Sequence, residues 1–164
     1  MKSVPGQRGW HAAALAFVLL QAWLFGFEFV EPVLFNMDVE RDLGRALEFF
    51  SGAGLSMQGP DVSSTGLHLG PFTYFLIAPV VGASLDPMTL HVAIVLLNSV
   101  GLYVLFLTLA RMTSAPAALA ATVLLAATGF YMVVQSSLWH PSLLPLPLAL
   151  TLWGVERASR TGRA

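Results

Sequence analysis

Long apolar stretches without a formal charge dominate the pattern along the chain. Charge-free runs cover 19 residues at 9–27, 24 residues at 87–110 and 44 residues at 112–155. A membrane-spanning helix needs about 20 predominantly apolar residues, so the third run is long enough for two spans. That run is interrupted by its most polar stretch, 135–142, where two spans would need a connection. The pattern predicts four transmembrane helices, at about 10–27, 88–110, 115–134 and 142–155.

A fifth apolar stretch, 71–83, is shorter and contains two prolines, Pro71 and Pro79. Segments of about 10–14 apolar residues are more often re-entrant or interfacial than spanning, so we expect this one to enter the membrane without crossing it. Under the four-span topology six of the eight basic residues fall on one side, and positive charge marks the cytoplasmic side. We therefore predict an all-α, polytopic membrane protein with both termini in the cytoplasm and a first outer loop over 28–86.

The first helix decides between two topologies. Five spans with an outside N-terminus would give the same charge balance, but Lys2 and Arg8 precede the first helix while Glu28 and Glu31 follow it. The flanks of the first helix usually set the orientation, which favours an inside N-terminus. No small-x-small cleavage site follows this helix, because residues 23–28 are bulky almost throughout, so we predict an uncleaved anchor rather than a signal peptide.

The composition agrees with a membrane protein and excludes several classes of function. Charged residues make up 10% of the 164 residues, against roughly 25% in soluble domains. The net charge of −1, without any basic run, excludes nucleic acid as a partner. The chain has no cysteine, no His-x-x-x-His pair and no Gly-x-Ser-x-Gly elbow, so disulfides, a zinc site of that type and a serine hydrolase are unsupported.

Most acidic residues lie in the predicted outer loop. Eight of the nine fall between Glu28 and Asp86, where only Arg41 and Arg45 oppose them. Ion pathways normally place ionisable groups within the spans, and the predicted spans contain no formal charge, which disfavours a small transporter. We therefore expect the chemistry at the outer surface of the membrane.

Within this loop, residues 38–50 have the spacing of an amphipathic helix, which Gly52 and Gly54 are expected to end. We expect the helix to lie flat on the bilayer, with Asp38, Arg41, Asp42 and Arg45 facing water or a polar head group. Asp38 has two compatible interpretations, as a helix N-cap and as a proton acceptor. The apolar stripe consists of Val39, Leu43, Ala46, Leu47 and Phe50.

Two histidines are further candidates on the outer side. His68 precedes the Gly70-Pro71 turn, and either is a plain interfacial residue or contacts an anionic group such as a lipid phosphate. His140 lies in the second outer connection, on the same side as Asp38 in the predicted topology. Two pairs of small residues have the four-residue spacing that allows close helix packing: Ala117 with Ala121, and Ala118 with Thr122.

The order of these features resembles the N-terminal part of membrane glycosyltransferases of the GT-C type. The likeness is carried by MDVERD at 37–42, GPFTYF at 70–75 and LWHPSLLP at 138–145. Among these enzymes the chain is most similar to the family 39-like bacterial proteins, relatives of protein O-mannosyltransferases and of the lipid A aminoarabinose transferase. The resemblance implies a location in a bacterial inner membrane and transfer of a sugar from a polyprenyl-phosphate donor to an acceptor on the extracytoplasmic face.

The resemblance also implies roles for individual residues. Asp38 matches the acidic residue that acts as the base or orients the acceptor, and is the predicted catalytic residue. Glu40 matches the second acid of the family's usual Asp-Glu pair less closely, because Val39 intervenes. His68 falls near the family's lipid-phosphate contacts, and His140 replaces a second acid of the next outer loop. Glu40, His68 and His140 are the predicted substrate-binding residues. No cofactor or metal ligand is predicted, and a divalent metal is left open.

Members of this family are several times longer than 164 residues. We therefore expect the chain to be an N-terminal membrane module that needs a missing C-terminal half or another membrane subunit for activity. The alternative is a non-catalytic four-helix membrane scaffold or partner subunit whose acidic loop binds another protein. The alternative predicts that the loop's charge matters while Asp38 individually does not.

Overall fold

The computed structural model describes residues 7–28, 37–52, 72–129, 131–132 and 140–162, and the regular structure in these ranges is entirely helical. The predicted all-α class is therefore confirmed. A π-helical turn, Leu24–Glu28, continues the first helix, and a 3₁₀ turn, His140–Leu143, precedes the last. The α-helices of this described part are α1 (Gln7–Trp23), α2 (Met37–Ser51), α3 (Phe72–Ala83), α4 (Pro87–Met112), α5 (Ala115–Ala126) and α6 (Pro145–Thr161).

Two helices in the described ranges are long and apolar enough to cross a membrane, Arg8–Glu28 and Pro87–Met112. They correspond to the first and second predicted spans, and they agree with a membrane protein. The predicted re-entrant segment is a helix of 12 residues, about 18 Å long, which is too short to span the bilayer core of about 30 Å. Helices α5 and α6 contain 12 and 17 residues, so the four predicted continuous spans are not all present.

The third predicted span, 115–134, is wrong in its extent, because α5 ends at Ala126. Thr128 explains the break: its hydroxyl donates to the Leu125 carbonyl at 2.7 Å and accepts from the Tyr131 N–H at 3.2 Å. A threonine side chain that bonds the backbone in this way competes with the helix ladder and starts a new turn. The fourth prediction, 142–155, is also shifted, because α6 runs from Pro145 to Thr161.

The helix ends follow local chemistry. The Asp86 carboxylate accepts from the Met88 N–H at 2.9 Å and caps α4, whose first residue is Pro87. Helix α2 begins at Met37, so Asp38 lies in its first turn rather than at the predicted N-cap position. Gly52 ends α2 with a φ of 72°, as predicted, since glycine adopts this left-handed conformation without steric cost.

Helix α4 is the centre of the bundle, and the described parts of α1, α3, α5 and α6 pack against it. Helix α1 runs antiparallel to α4, because His11 contacts Phe106 and Phe25 contacts His91. Helix α6 runs parallel to α4, from Gly101 beside Leu146 to Arg111 beside Arg160. The small pair Ala118 and Thr122 is buried, as close packing requires, whereas Ala117 and Ala121 are exposed.

Helix α2 packs along α3, with Ala46 fully buried in a cluster that includes Tyr74 and Ile77. Of the predicted apolar stripe, Ala46 is buried against α3, whereas Leu47 and Phe50 are 41% and 55% exposed. The expected flat position of α2 on the bilayer stays a prediction. The prediction that Asp42 faces water is wrong, because Asp42 is buried at 7% exposure on the side toward α3.

Candidate functional site

The two ends of the described bundle carry opposite charges. The antiparallel register of α1 and α4 puts Glu28 and Asp86 at one end and Arg8 and Arg111 at the other. Helices α2 and α3 pack at the end of Glu28 and Asp86, which we call the acidic end. The C-terminal part of α6 lies at the opposite end, which we call the basic end. The candidate site is the α2–α3 pair at the acidic end.

A buried carboxylate joins these two helices. The Tyr74 hydroxyl of α3 donates to Oδ1 of Asp42 at 3.3 Å. Arg41 donates to the same oxygen through Nε at 3.2 Å and Nη2 at 3.1 Å. A charge is tolerated in a buried position when it is both paired and hydrogen-bonded, as Asp42 is here. This arrangement fixes α2 on α3 and gives Asp42 a structural role.

The phenol of Tyr74 is a proton donor that stays protonated over the neutral range. Burial first, and then the negative charge of Asp42 and the hydrogen bond to it, raise the pKa of Tyr74 from 10.0 to about 12. The positive charges of Arg41 and Arg45 oppose this shift. The neutral phenol of Tyr74 therefore donates to Asp42 throughout the neutral range.

The four predicted site residues differ in how much of each the structure describes. Asp38 is the second residue of α2, one helical turn before Asp42, and its side chain lies outside the described residues. Glu40 is exposed on α2. His68 lies outside the described residues altogether. His140 begins the 3₁₀ turn, and its side chain is also outside the described part.

The segment that begins at His140 reaches the same end of the bundle as α2. Leu143, three residues later, is buried in the cluster that contains Ala46 of α2 and Leu90 of α4. The backbone therefore brings residues 140–143 and helix α2, which carries the 37–42 motif, to one cluster of helices. Contacts between Asp38 and His140 themselves stay a prediction.

Asp42 and Tyr74 were missed by reasoning from the sequence. The helical pattern put Asp42 among the charged residues of α2, and it contained no information about which side would meet another helix. Tyr74, in an apolar segment, was the available signal, because a buried tyrosine hydroxyl usually finds a hydrogen-bond partner. The partner of the Tyr74 hydroxyl is Asp42 of α2, the nearest acidic helix in the sequence.

A second polar layer lies between α1 and α4. His91 is 1% exposed, and its Nε2 lies 2.8 Å from the Phe25 carbonyl oxygen in the π-helical turn. Its Nδ1 and the Oε1 of Gln21 are buried without a hydrogen-bond partner among the described residues. About two helical turns after His91 on α4, the backbone carbonyl of Asn98 accepts from the Tyr131 hydroxyl at 3.4 Å. Polar contacts of this kind hold helices together where water is scarce.

The described residues contain no group of three or more His, Asp or Glu side chains that could hold a metal ion. The arrangement at the acidic end is a rigid support for the start of α2, built on one buried hydrogen-bonded pair. No protein-family model, no curated protein and no solved structure matches this chain.

Proposed function

We propose that the chain is the N-terminal membrane module of a glycosyltransferase that moves a sugar from a polyprenyl-phosphate donor to an acceptor on the extracytoplasmic face. The observation that carries the proposal is the position of α2. This helix carries Asp38 in its first turn and is anchored through the buried Asp42–Tyr74 pair on a short, non-spanning helix beside two candidate spans. A carboxylate held on a rigid support is suited to general-base work on an acceptor hydroxyl.

The four predicted membrane passages are part of this proposal, with the last two discontinuous. Ala126, near the end of α5, packs at the level of Leu102, about halfway along α4, and Leu143 reaches the level of Ile94. Helix α6 then returns from Gly101 to Arg111. Broken helices are tolerated at membrane depth where the irregular backbone is buried in protein. In this proposal, two interrupted passages stand beside the two continuous ones.

The charged ends support the proposed orientation. Arg8, Arg111, Arg157 and Arg160 lie at the basic end, opposed by Glu156 among the described residues. Lysine and arginine mark the cytoplasmic side, so this end faces the cytoplasm of a bacterial inner membrane. The acidic end with α2 and α3 then faces outward, where a polyprenyl-phosphate sugar is used.

The test compares Asp38→Asn with Glu48→Gln, an exposed acid on the same helix. It measures sugar transfer from a polyprenyl-phosphate-linked donor to outer-face acceptors, in membranes that contain the chain and its membrane partners. Loss of a general base costs about a hundredfold to ten-thousandfold in rate, so we expect Asp38→Asn to lower transfer by at least about a hundredfold and Glu48→Gln to leave it unchanged. Equal transfer by Asp38→Asn and the unmutated chain would eliminate the catalytic role and favour a scaffold.

A further inference from the structure

An apolar groove lies between α5 and α6, with α4 as its floor. Its volume is about 270 Å³, and its walls include Leu125 of α5, Leu148 and Leu152 of α6, and Gly101 and Leu105 of α4. The groove exists because α5 and α6 each pack on α4 far more than on one another in the described part of the chain. An apolar cavity of about 150 Å³ already admits benzene, so this groove has room for a stretch of hydrocarbon chain.

The groove contains almost no polar surface. Tyr131 is its one hydroxyl-bearing wall residue among those described, and that hydroxyl donates to the Asn98 carbonyl. Leu148 is 64% exposed and Leu125 is 39% exposed, so the walls continue onto the outer surface of the bundle. In a bilayer such a groove is filled by hydrocarbon, because an empty one would lose dispersion contacts along its walls.

The groove ends at Leu105 of α4 and Leu152 of α6, and the basic end lies beyond both residues. Arg111 follows Leu105 on α4 by six residues, about 9 Å, and Arg157 follows Leu152 on α6 by five residues, about 7.5 Å. The guanidinium of Arg157 lies 5.5 Å from the centre of the Trp153 ring, an interfacial arrangement in which an aromatic side chain supports a cation. Neither the Arg111 nor the Arg157 side chain makes an ion pair or a hydrogen bond within the described ranges. Arg160, by contrast, pairs with Glu156.

The distances suit one leaflet of a membrane. Gly101, at the deep end of the groove, precedes Arg111 by ten residues, about 15 Å along α4. Half of a hydrocarbon core of about 30 Å is the same length, so a chain attached to a head group at Arg111 reaches the deep end of the groove.

We propose that this groove binds one acyl chain of an anionic phospholipid, whose phosphate is held by Arg111 and Arg157. The proposal rests on the membrane insertion proposed above and is independent of sugar transfer. The ligand is a structural lipid of the leaflet at the basic end. Basic side chains near the membrane surface attract anionic head groups, and the apolar groove below them supplies the second, chain-binding element.

The experiment uses the full chain, purified in detergent and stripped of lipid, and measures retained lipid by native mass spectrometry. The probes are phosphatidylglycerol and phosphatidylcholine with identical acyl chains. Each arginine near an anionic surface contributes about a fivefold preference, so we expect the unmutated chain to retain phosphatidylglycerol at least about fivefold better than phosphatidylcholine. The double variant Arg111→Gln/Arg157→Gln should abolish this preference, while Arg45→Gln at the acidic end should not change it.

The groove is tested separately from the charges. Leu148→Trp fills it and should lower retention of both lipids, whereas Leu124→Trp, at a 70% exposed position of α5 outside the groove, should have no effect. Circular dichroism checks that each variant is folded, and Leu125→Trp on the opposite wall replaces Leu148→Trp if that variant unfolds. Equal retention of the two phospholipids, or equal effects of tryptophan inside and outside the groove, would overturn the proposal and leave sugar transfer untouched. Release of the chain from membranes by alkaline carbonate would overturn both proposals.

Discussion

The hydroxyl of Tyr74 in α3 donates to Oδ1 of Asp42 in α2 across 32 positions of sequence, and this bond is buried. It is the polar contact that connects the acid-rich helix with the short apolar helix. The same carboxylate oxygen accepts from Arg41, so Asp42 is held by neighbours from two helices. These contacts fix the position of α2, whose first turn contains Asp38.

We expect Tyr74→Phe to lower the free energy of unfolding by about 1 kcal/mol, because one buried hydrogen bond is lost while Arg41 still pairs with Asp42. Thermal unfolding in detergent, followed by circular dichroism, measures the loss. Tyr103→Phe is the matched control, since the Tyr103 hydroxyl makes no hydrogen bond within the described ranges. The Asp42→Ala and Tyr74→Phe changes should also be non-additive when combined. Additive losses of stability in the double variant would contradict the hydrogen bond between Tyr74 and Asp42.

The same pair should make stability depend on alkaline pH. The folded state raises the pKa of Tyr74 to about 12, above the value of 10.0 for the free phenol. The folded chain then binds the phenolic proton more tightly than the unfolded chain. This contribution is complete below about pH 10 and is lost as the pH rises through about 12. When the pH is raised from about 8 to about 11, the thermal unfolding midpoint should fall further for the unmutated chain than for Tyr74→Phe. An equal fall in both would contradict the assignment.

Gly101 should be intolerant of any side chain. A Cβ at this position would lie 2.9 Å from the Leu146 Cα and 3.0 Å from the Leu146 nitrogen, which are backbone atoms that cannot rotate away. We expect Gly101→Ala to destabilise the chain by about 1–3 kcal/mol, as overpacking does. Gly154→Ala on α6 meets open space and should be neutral or stabilising by up to about 1 kcal/mol. Both are measured by thermal unfolding, and similar midpoints for the two variants would show that α6 does not approach α4 so closely.

His91 should hold the end of α1 on α4. His91→Leu removes the hydrogen bond from the imidazole to the Phe25 carbonyl, at a cost of about 1 kcal/mol. His11→Leu removes only an edge contact with the Phe106 ring and should cost less. Thermal unfolding compares the two, and His91→Gln, which keeps a donor, should recover part of the loss. A larger loss from His11→Leu would contradict the polar contact.

The helices themselves were largely predictable, because helix formation depends on local pattern. The spacing of apolar residues predicted 38–50, 71–83 and 88–110, and the structure has helices at Met37–Ser51, Phe72–Ala83 and Pro87–Met112. The prediction failed at 115–134, where the Thr128 hydroxyl bonds the backbone of Leu125 before the break and of Tyr131 after it. A single hydroxyl among apolar residues carries little weight in a hydropathy pattern, although it is sufficient to end α5.

The sequence by itself determined the helical structure of the described ranges, the first two of the four predicted spans, and the concentration of acids in one segment, since composition and periodicity report directly on these properties. Only the tertiary structure decided which face of α2 is buried. The buried face contains Asp42, because the hydrogen bond from Tyr74 offsets the cost of burying its carboxylate. The groove between α5 and α6 is likewise a tertiary feature. It depends on Gly101 letting the backbone of α6 approach α4 while α5 stops at Ala126, and neither effect is visible in the pattern of a single helix.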